Sequence, residues 1–258
     1  DLDQRLPEKG EDVIAVLARS FNRMADSLQK QITKVTNVSR MQQRFVSDVS
    51  HELRTPMTTI RISGDMIFRN RDKLVPSLKQ DAEILNDQIL RFEALLGDLL
   101  ELSRFDAGSA QARMELQDVQ YVVGMAIASI EPLARSKGSK INVDLPHTEL
   151  DVELDSRRIE RLLRNLLANA VEHGEGLPID VHVGADEQAV AITVTDYGIG
   201  MTKEQLDRIF DRFWRADPSR QRTSGGTGLG LAISQEDANL HNGWLQVWAK
   251  PNEGASFR

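Results

Sequence analysis

The segment FVSDVSHELRTP, residues 45–56, decides how this chain of 258 residues folds and what chemistry it offers. Apolar residues recur there every four positions, which places side chains on one face of a helix. They predict one buried stripe: Phe45, Val49, Leu53 and Met57. His51 is two positions from both Val49 and Leu53, so it lies far round the helix, toward solvent. Thr55 follows one turn later on the same side.

Glu52 and Pro56 are two neighbours of His51 that could influence its reactivity. An exposed imidazole is a competent nucleophile when a neighbouring base holds the proton on its other nitrogen, and Glu52 is placed to do so. Pro56 has no N–H to donate to the carbonyl of Glu52, so we expect the helix to bend or loosen there and to act as a hinge for His51. The alternative is a solvated His-Glu pair on a helix surface.

Heptad-spaced apolar residues extend the helical pattern on both sides of this segment. In the first helix they are Phe21, Leu28 and Val35 at one position and Met24, Val38 and Phe45 at its partner, with polar Gln31 and Gln42 interrupting. After a loop near residues 70–76, a second helix runs to about Ser103 and repeats Leu78, Leu85, Phe92 and Leu99, with Ala82, Ile89 and Leu96 four positions further on. These patterns predict an all-α helical hairpin that two copies complete as a dimeric four-helix bundle. A hairpin docked on its own C-terminal domain is the alternative.

The hairpin ends at Gly108, a residue suited to a helix C-terminus. After it, the long heptad pattern gives way to shorter predicted helices and strands. Helices are predicted at residues 119–134 and 157–172. Strands are predicted at residues 141–145, 179–183, 189–195, 245–249 and 256–257. The fold class is therefore multidomain, with the hairpin followed by an α+β layered sandwich.

Composition limits the classes of protein to which the chain can belong. Its 40% hydrophobic and 28% charged residues are those of a globular chain. The absence of cysteine excludes disulfides and thiolate metal sites and fits a reducing compartment. A net charge of -7 argues against a general nucleic-acid binder. It leaves room for ATP, because a few local positive groups and a metal ion suffice for phosphates. No stretch approaches the roughly 18–20 apolar residues of a membrane span.

Two later segments carry polar groups at spacings that suit a nucleotide. Asn165 and Asn169 are four apart on one helical face, and amide oxygens are ligands for a hard cation such as Mg²⁺. Asp196 ends a strand, where its carboxylate can accept a hydrogen bond from an exocyclic amine, and Gly198 and Gly200 allow a tight turn. Solvent-facing asparagines and an ordinary Asp-Gly turn are the alternatives.

A third segment, GGTGLGL at residues 225–231, is a glycine loop that leads into a helix. Its backbone N–H groups and the helix N-terminus favour phosphates. It is neither a dinucleotide-binding fingerprint nor a Walker loop. Just before it, FDRFWR at residues 210–215 opens a polar run to Ser224 that reads either as a lid over the phosphates or as a plain surface loop.

Together these segments resemble sensor histidine kinases. Residues 45–56 look like their phosphoacceptor box, and the later segments look like the asparagine, glycine and phenylalanine boxes of the ATPase fold shared by histidine kinases, gyrase, Hsp90 and MutL. The resemblance implies that His51 attacks the γ-phosphate of ATP and that Glu52 assists as base. It implies that Thr55 helps to position water when the kinase acts as a phosphatase.

The same resemblance assigns the nucleotide contacts. It implies Asn169 as the main Mg²⁺ ligand, Asn165 near the phosphates, Asp196 on the adenine amine and Ser256 near adenine. The loop around the triphosphate would consist of Gly226, Thr227, Gly228, Leu229 and Gly230. Many relatives have Lys-Tyr where this chain has Glu172-His173. His173 can still stack on adenine, whereas the missing positive charge would come from Arg212, Arg215 or a lid arginine.

Residues 1–32 resemble the second half of a HAMP signal-relay module, through RLPEKGEDVIAVLARSFNRMADSL. The resulting domains are residues 1–32, the dimerisation and histidine phosphotransfer hairpin at 33–108, and the catalytic ATP-binding domain at 109–258. In the family HAMP follows a membrane span, so we expect the cytoplasmic portion of a plasma-membrane sensor anchored upstream of residue 1. SRMQQRFVSDVSHELRTP and EDANLHNGWLQVWAKPNEGASFR look similar to sensors of actinobacteria.

The expected function is ATP-dependent autophosphorylation of His51 and transfer of the phosphate to an aspartate of a response regulator receiver domain. Phosphatase activity toward that partner is expected as well. A conformational ATPase of the Hsp90 or gyrase kind and a catalytically silent pseudokinase are the alternatives.

Overall fold

Two long helices form the first part of the molecule. Helix α1 spans Val13–Arg69, a 3₁₀ turn follows at Arg71–Lys73, and helix α2 spans Pro76–Asp106. Pro76 stands in the first turn of α2, where its missing N–H has no helical partner to lose. The predicted hairpin and its connection are confirmed. The structure, a computed structural model, describes residue 6 and residues 13–148, 150–186, 188–216 and 227–258.

Pro56 lies inside α1 and does not interrupt it. The helix continues on both sides of His51 and Pro56. A single missing N–H removes one hydrogen bond, and the neighbouring turns retain theirs. The hinge expected at this proline is therefore not a break in the helical backbone. Of the stripe predicted around His51, Met57 is buried, Val49 is half-buried and Leu53 is exposed, and the side chain of Phe45 lies outside the described part.

Close approach of the two helices depends on Gly64. A Cβ atom there would lie 2.4 Å from the Cδ1 atom of Ile89, so glycine makes room for that side chain. The buried residues of α2 are Ala82, Ile89 and Leu102. The heptad row of α2 faces elsewhere and is 44% to 51% exposed in the single chain: Leu78, Leu85, Phe92 and Leu99. This row is an apolar surface that a second hairpin could cover.

The segment before α1 lies mostly outside the described residues, since residues 1–5 and 7–12 are not described. Leu6 is described, and the carboxamide of Asn22 binds its backbone: the Leu6 N–H donates to Oδ1 and the Leu6 carbonyl accepts from Nδ2, each at 2.9 Å. Within the described ranges, no helix is both long enough and apolar enough to cross a membrane.

A five-stranded mixed sheet organises the second part of the molecule. Its order is β2-β4-β5-β7-β6, with β2 parallel to β4 and the other neighbours antiparallel. The strands are β1 Glu115–Asp118, β2 Ile141–Asp144, β3 Asp151–Leu154, β4 Ile179–Ala185, β5 Val190–Asp196, β6 Val247–Lys250 and β7 Gly254–Phe257. Strands β1 and β3 form a separate antiparallel pair. The helices are α3 Val119–Lys137, α4 Ser156–His173, α5 Lys203–Leu206 and α6 Gly230–Leu240.

Side-chain caps determine where α3 and α4 begin. The Asp118 carboxylate accepts the N–H of Gln120 at 2.9 Å, and the Asp155 carboxylate accepts the N–H of Arg158 at 3.3 Å. An acidic cap satisfies a free donor and favours the positive end of the helix. Gly138 ends α3 with a φ of 81°, a left-handed conformation that glycine adopts without strain.

The core lies between the helices and one face of the sheet. Val181 and Val194 of the sheet pack there with apolar residues of α3 and α4 such as Val123 and Leu166. The other face carries a row of polar residues across four strands, Asn142, Asp180, Thr195 and Ser256, which ends at the exposed Trp248 on the fifth strand. The second part is thus a layered domain of helices packed on one face of a mixed sheet, in agreement with the predicted α+β sandwich.

An apolar contact joins the two parts. Leu229 and Ile233 at the start of α6 pack with Leu102 of α2, beside Leu95 and Phe105. The alternative of a hairpin docked on its own C-terminal domain therefore holds for the last turns of α2. It does not account for the exposed heptad row, which lies on another face.

Candidate active site

Asn165 and Asn169 lie on the middle turns of α4, and Asn165 joins this helix to α6. Its Nδ2 atom donates to the Gly230 carbonyl at 3.2 Å and to the Ser234 hydroxyl at 3.3 Å. Both asparagines are half-buried. Their amide oxygens are the donor type that Mg²⁺ accepts, so this part of α4 fits such an ion. Ser234 is fully buried and was not anticipated from the sequence, because a single serine in a helix carries no signal.

Asp196 ends β5 as a buried carboxylate, 5% exposed. It accepts the N–H of Gly198 at 3.0 Å and also a hydrogen bond from the backbone of Ala255. Burial raises the pKa of Asp196 above its ordinary value, and these two donors and nearby His173 partly offset that rise. Such a carboxylate is held in place, and the domain core shields it from bulk water.

Two glycines bring the Asp196 turn against its neighbours. A Cβ atom on Gly198 would lie 1.9 Å from the carbonyl oxygen of His173, so only glycine fits beside the end of α4. Gly200 has a φ of 61°, and a Cβ atom there would lie 1.8 Å from the Lys250 carbonyl oxygen. The Ile199 N–H donates to the His173 carbonyl at 3.2 Å. The turn, the end of α4 and the β6–β7 connection therefore meet at one place, with His173 exposed beside them.

The described part of the glycine loop contacts the FDRFWR segment, which precedes it in the sequence. The Phe213 N–H donates to the Gly228 carbonyl at 2.9 Å, and Gly228 has a φ of 72°. Leu229 is fully buried, and Gly230 begins α6 beside Asn165. Gly226 of the predicted glycine loop and most of the predicted lid fall within residues 217–226, which lie outside the described residues.

The glycine loop and Arg212, one of the arginines that could replace the missing lysine, both contact the hairpin. The Thr227 hydroxyl donates to a carboxylate oxygen of Asp98 at 2.9 Å. Arg212 forms a two-point ion pair with Asp106 at the end of α2, and its Nη1 lies 2.7 Å from Oδ2. Arg215 is half-buried. Burial raises the pKa of Asp98 in spite of the Thr227 hydrogen bond.

Ser256 is separated from this arrangement. It pairs with Thr195 across β5 and β7, and the two hydroxyl groups are 2.9 Å apart on the polar face of the sheet. The residue opposite Asp196 is Ala255, which is buried on the core side. The side chain of Ser256 therefore lies on the face of the sheet opposite to that of Asp196, because neighbouring strand residues face opposite sides.

A buried ionic cluster supports the site, and it was not predicted. Asp237 of α6 is fully buried and binds Arg161 through both carboxylate oxygens, with Nε 3.0 Å from Oδ2 and Nη2 2.7 Å from Oδ1. Arg158 Nη1 lies 2.9 Å from Asp237 Oδ1 and 2.7 Å from Glu101 Oε1 of α2. Arg161 Nη2 also lies 3.6 Å from Glu101 Oε1. Two arginines one turn apart on α4 therefore hold α6, and both also pair with the hairpin through Glu101.

His51, Glu52 and Thr55 lie within two turns of α1. Glu52 and Thr55 are exposed, as predicted, and the side chain of His51 lies outside the described part. The antiparallel contacts Arg61–Glu93 and Gly64–Ile89 set the register of the hairpin.

This register places the backbone of His51 at about the level of Leu102 on α2. Leu102 is the residue on which Leu229 packs. The predicted glycine loop is therefore docked on α2 at the level of His51.

Three family models match the chain. A HAMP domain matches residues 1–30, and a His Kinase A (phospho-acceptor) domain matches residues 41–108. A histidine kinase-, DNA gyrase B-, and HSP90-like ATPase matches residues 154–258. A phosphoacceptor hairpin followed by this ATPase fold defines a histidine kinase, and the chain belongs to the sensor histidine kinase family.

Curated relatives narrow the comparison. Sensor histidine kinase MtrB of Mycobacterium leprae (strain TN) is 50% identical over 257 residues, which are 100% of this chain and 46% of that protein. Signal transduction histidine-protein kinase AfsQ2 of Streptomyces coelicolor is 34% identical over 266 residues, covering 99% of this chain and 48% of that protein. The chain thus spans about half the length of the curated relatives it matches. The expected similarity to actinobacterial sensors is confirmed.

A solved structure supports the fold. Full-length ShkA in complex with AMPPNP matches 83% of this chain and 44% of its own, with a TM-score of 0.72 and 24% identity.

Proposed function

We propose that this chain is a protein-histidine kinase that phosphorylates its own His51 with ATP and passes the phosphate to an aspartate of a response regulator. The observation that carries the proposal is the convergence of Asn165, the Asp196 turn and the Gly228–Gly230 loop around the ends of α4 and α6, in a chain that also contains the phosphoacceptor helix. A nucleotide site alone would fit an ATPase equally well. The His Kinase A match over residues 41–108 favours the kinase.

The nucleotide contacts follow from the positions of the side chains. The buried Asp196 would accept the adenine amine, and exposed His173 would stack beside it. Backbone N–H groups at Gly228 and Gly230 and the start of α6 would hold phosphate oxygens. Asn169, with Asn165 beside it, would hold Mg²⁺, which neutralises charge on the triphosphate when bound. We leave Ser256 out of the site.

In the transfer step, an imidazole nitrogen of His51 attacks the γ-phosphorus. The bond from phosphorus to the β,γ-bridging oxygen breaks, and ADP leaves with the electron pair of that bond. Glu52 would hold the proton on the other imidazole nitrogen, which keeps the attacking nitrogen unprotonated. Positioning and charge neutralisation supply most of the catalysis in reactions of this kind.

Partners follow from the surfaces of the hairpin and from the family. The exposed heptad row of α2 supports a homodimer through a four-helix bundle. A receiver domain of a response regulator would take the phosphate from His51. The HAMP match supports a position on the cytoplasmic side of a membrane-anchored sensor.

Labelling with γ-³²P-ATP and Mg²⁺ tests the proposal. A kinase gives a phosphoprotein that is stable in base, labile in acid and absent in His51→Ala. His147→Ala, which removes an exposed histidine from a loop of the nucleotide domain, is the matched control and should label normally. Release of free phosphate without labelled protein would identify an ATPase instead. Absence of both products would identify a silent module.

A further inference from the structure

Thr227 of the predicted triphosphate loop and Arg212, one of the candidates for the missing positive charge, are already bound to carboxylates of the hairpin. The Thr227 hydroxyl donates to Asp98 Oδ2 at 2.9 Å. The Arg212 guanidinium binds both oxygens of Asp106, with Nη1 2.7 Å from Oδ2. Asp98 and Asp106 lie about two turns apart on α2, so both point toward the same side of the hairpin.

These contacts belong to one continuous docking face on the last three turns of α2. Its apolar members, Leu95, Leu102 and Phe105, pack on α6 and on the buried Leu229. Its third acidic member, Glu101, pairs with Arg158 of α4 at 2.7 Å. We call this set the α2 docking face: Leu95, Asp98, Glu101, Leu102, Phe105 and Asp106.

Carboxylate and phosphate oxygens make the same kinds of contact. Both accept charge-assisted hydrogen bonds, and both pair with the planar fork of an arginine at two points. A triphosphate that used Thr227 and Arg212 would therefore have to displace Asp98 and Asp106. It would also lie beside three negative side chains for as long as the domain stayed docked. Docking of the nucleotide domain on α2 and nucleotide binding therefore oppose each other in two ways: by competition for Thr227 and Arg212, and by repulsion between the triphosphate and the acidic side chains.

We propose that Asp98 and Asp106 are internal competitors of the nucleotide: in the docked arrangement they occupy Thr227 and Arg212 in place of phosphate oxygens, and nucleotide binding releases them. This inference rests on the proposed function of the site. Because coupling between two equilibria is reciprocal, nucleotide weakens docking by the same factor by which docking weakens nucleotide binding. Loading with ATP would therefore free the nucleotide domain from α2 at the moment when it has a phosphate to deliver.

Nucleotide affinity measures the competition without requiring catalysis. The binding of AMPPNP with Mg²⁺ would be followed by isothermal titration calorimetry on the intact chain. Asp98→Asn with Asp106→Asn should lower the dissociation constant about three- to tenfold, because the competent state becomes more populated. The control is Asp81→Asn with Asp87→Asn, which makes the same change of charge at exposed positions on the same helix and should leave the dissociation constant unchanged.

The possible results separate the inference from the proposed function. Equal affinity in the wild type and in the Asp98/Asp106 variant, or weaker binding in that variant, would overturn the competition and leave the nucleotide site intact. An equal gain in the Asp81/Asp87 control would also overturn it, because the effect would then be one of net charge. Absence of binding in every variant would overturn the proposed function and the competition together.

The distance between spin labels on α2 and α6 tests directly whether nucleotide releases the nucleotide domain from α2. The docking contacts in this labelled protein are those of the wild type. The chain has no cysteine, so Ala94→Cys on α2 and Asn239→Cys on α6 can carry spin labels without background labelling. Both positions are exposed and outside the docking face. Addition of AMPPNP and Mg²⁺ should lengthen the distance between the labels and broaden its distribution. An unchanged distribution at saturating nucleotide would contradict release.

Discussion

Asp196 illustrates how much of a binding site can reside in one side chain. The carboxylate is buried at the end of a central strand, and backbone donors from two neighbouring segments hold it in place. Burial raises its pKa, so its charge is more easily lost in acid than that of an exposed aspartate. In the proposed site, the affinity for nucleotide and its sensitivity to pH would therefore depend on the same group.

Replacement of Asp196 by Asn should weaken AMPPNP binding about tenfold or more, because a charge-assisted hydrogen bond is lost. In the wild type the ionised carboxylate is the binding form. Affinity should therefore be complete at neutral pH and should fall as pH drops through the raised pKa, earlier than for an ordinary aspartate. Calorimetric titrations across the acid range would show this fall in the wild type and its absence in the variant. Asp207→Asn, at an exposed position, should behave like the wild type.

Thr55 offers a second prediction for a single side chain. It is exposed in α1 one turn after His51, where a hydroxyl can position water beside a docked partner. Thr55→Ala should slow dephosphorylation of the phosphorylated response regulator at least tenfold and change autophosphorylation little. Rates of label loss from the regulator and of label gain on His51 measure the two activities. Similar losses in both would contradict a separate role for Thr55.

At the scale of the element, α4 acts as the support of the site. One part of the helix carries Asn165 and Asn169, and its first turns carry Arg158 and Arg161, which bind the buried Asp237 of α6. A buried carboxylate of this kind is tolerated because both of its oxygens have charged partners. The relative position of α4 and α6, and hence of the asparagines and the glycine loop, depends on this cluster.

Asp237→Ala should lower the free energy of unfolding by about 3 kcal/mol, because it removes the buried carboxylate that pairs with two partly buried arginines and leaves only Glu101 near them. Urea denaturation monitored by circular dichroism would measure the change. Asn239→Ala, at an exposed position on the same helix, should change stability by no more than about 0.5 kcal/mol. A comparable loss in both variants would mean that the cluster contributes nothing specific.

Two glycines of the α3 region should respond in opposite directions to the same change. Gly124 lies inside α3 with open space around its Cβ position, so Gly124→Ala should stabilise the domain by about 0.5–1 kcal/mol. Gly138 ends the helix at a φ of 81°, so Gly138→Ala should destabilise it by about 1 kcal/mol. Thermal unfolding would measure both, and shifts of the same sign would contradict the argument.

Local patterns in the sequence predicted most of the helices and strands and the segments that meet in the candidate site, because helix periodicity and glycine-rich turns are local properties. Strands β1 and β3 escaped notice because they are short and half polar. The sequence did not reveal that Ser256 and Asp196 lie on opposite faces of the sheet, because a shift of one residue along a strand reverses the face of every side chain. The Asp237 cluster depends on pairing across 76 and 79 positions, which no local pattern reveals.

At the scale of the whole molecule, α2 faces two directions. Its last three turns bind the nucleotide domain of the same chain, and its heptad row remains exposed. The two interpretations of the hairpin drawn from the sequence are therefore compatible, because they concern different faces of one helix. The dimer and the docked domain do not compete for the same residues.

Phe92→Glu should convert the proposed dimer to a monomer, because a charge would be buried in the apolar row of the interface. Sedimentation velocity across a range of protein concentrations would report the change in mass. Gln88→Glu adds the same charge at an exposed polar position one turn away and should leave the dimer intact. A monomeric wild type would contradict the four-helix bundle itself.

The unbroken helix α1 has a consequence for how a stimulus can reach His51. Its 57 residues at about 1.5 Å each make a rod of about 85 Å. A rod without a flexible joint transmits rotation, so each residue inserted upstream of His51 would turn everything before it by about 100° relative to the histidine. Seven inserted residues nearly restore the starting angle, whereas two or five do not. The number of residues upstream of His51 therefore fixes the rotational orientation of the preceding segment relative to that histidine. An insertion or deletion there would change this orientation without altering any side chain of the proposed site.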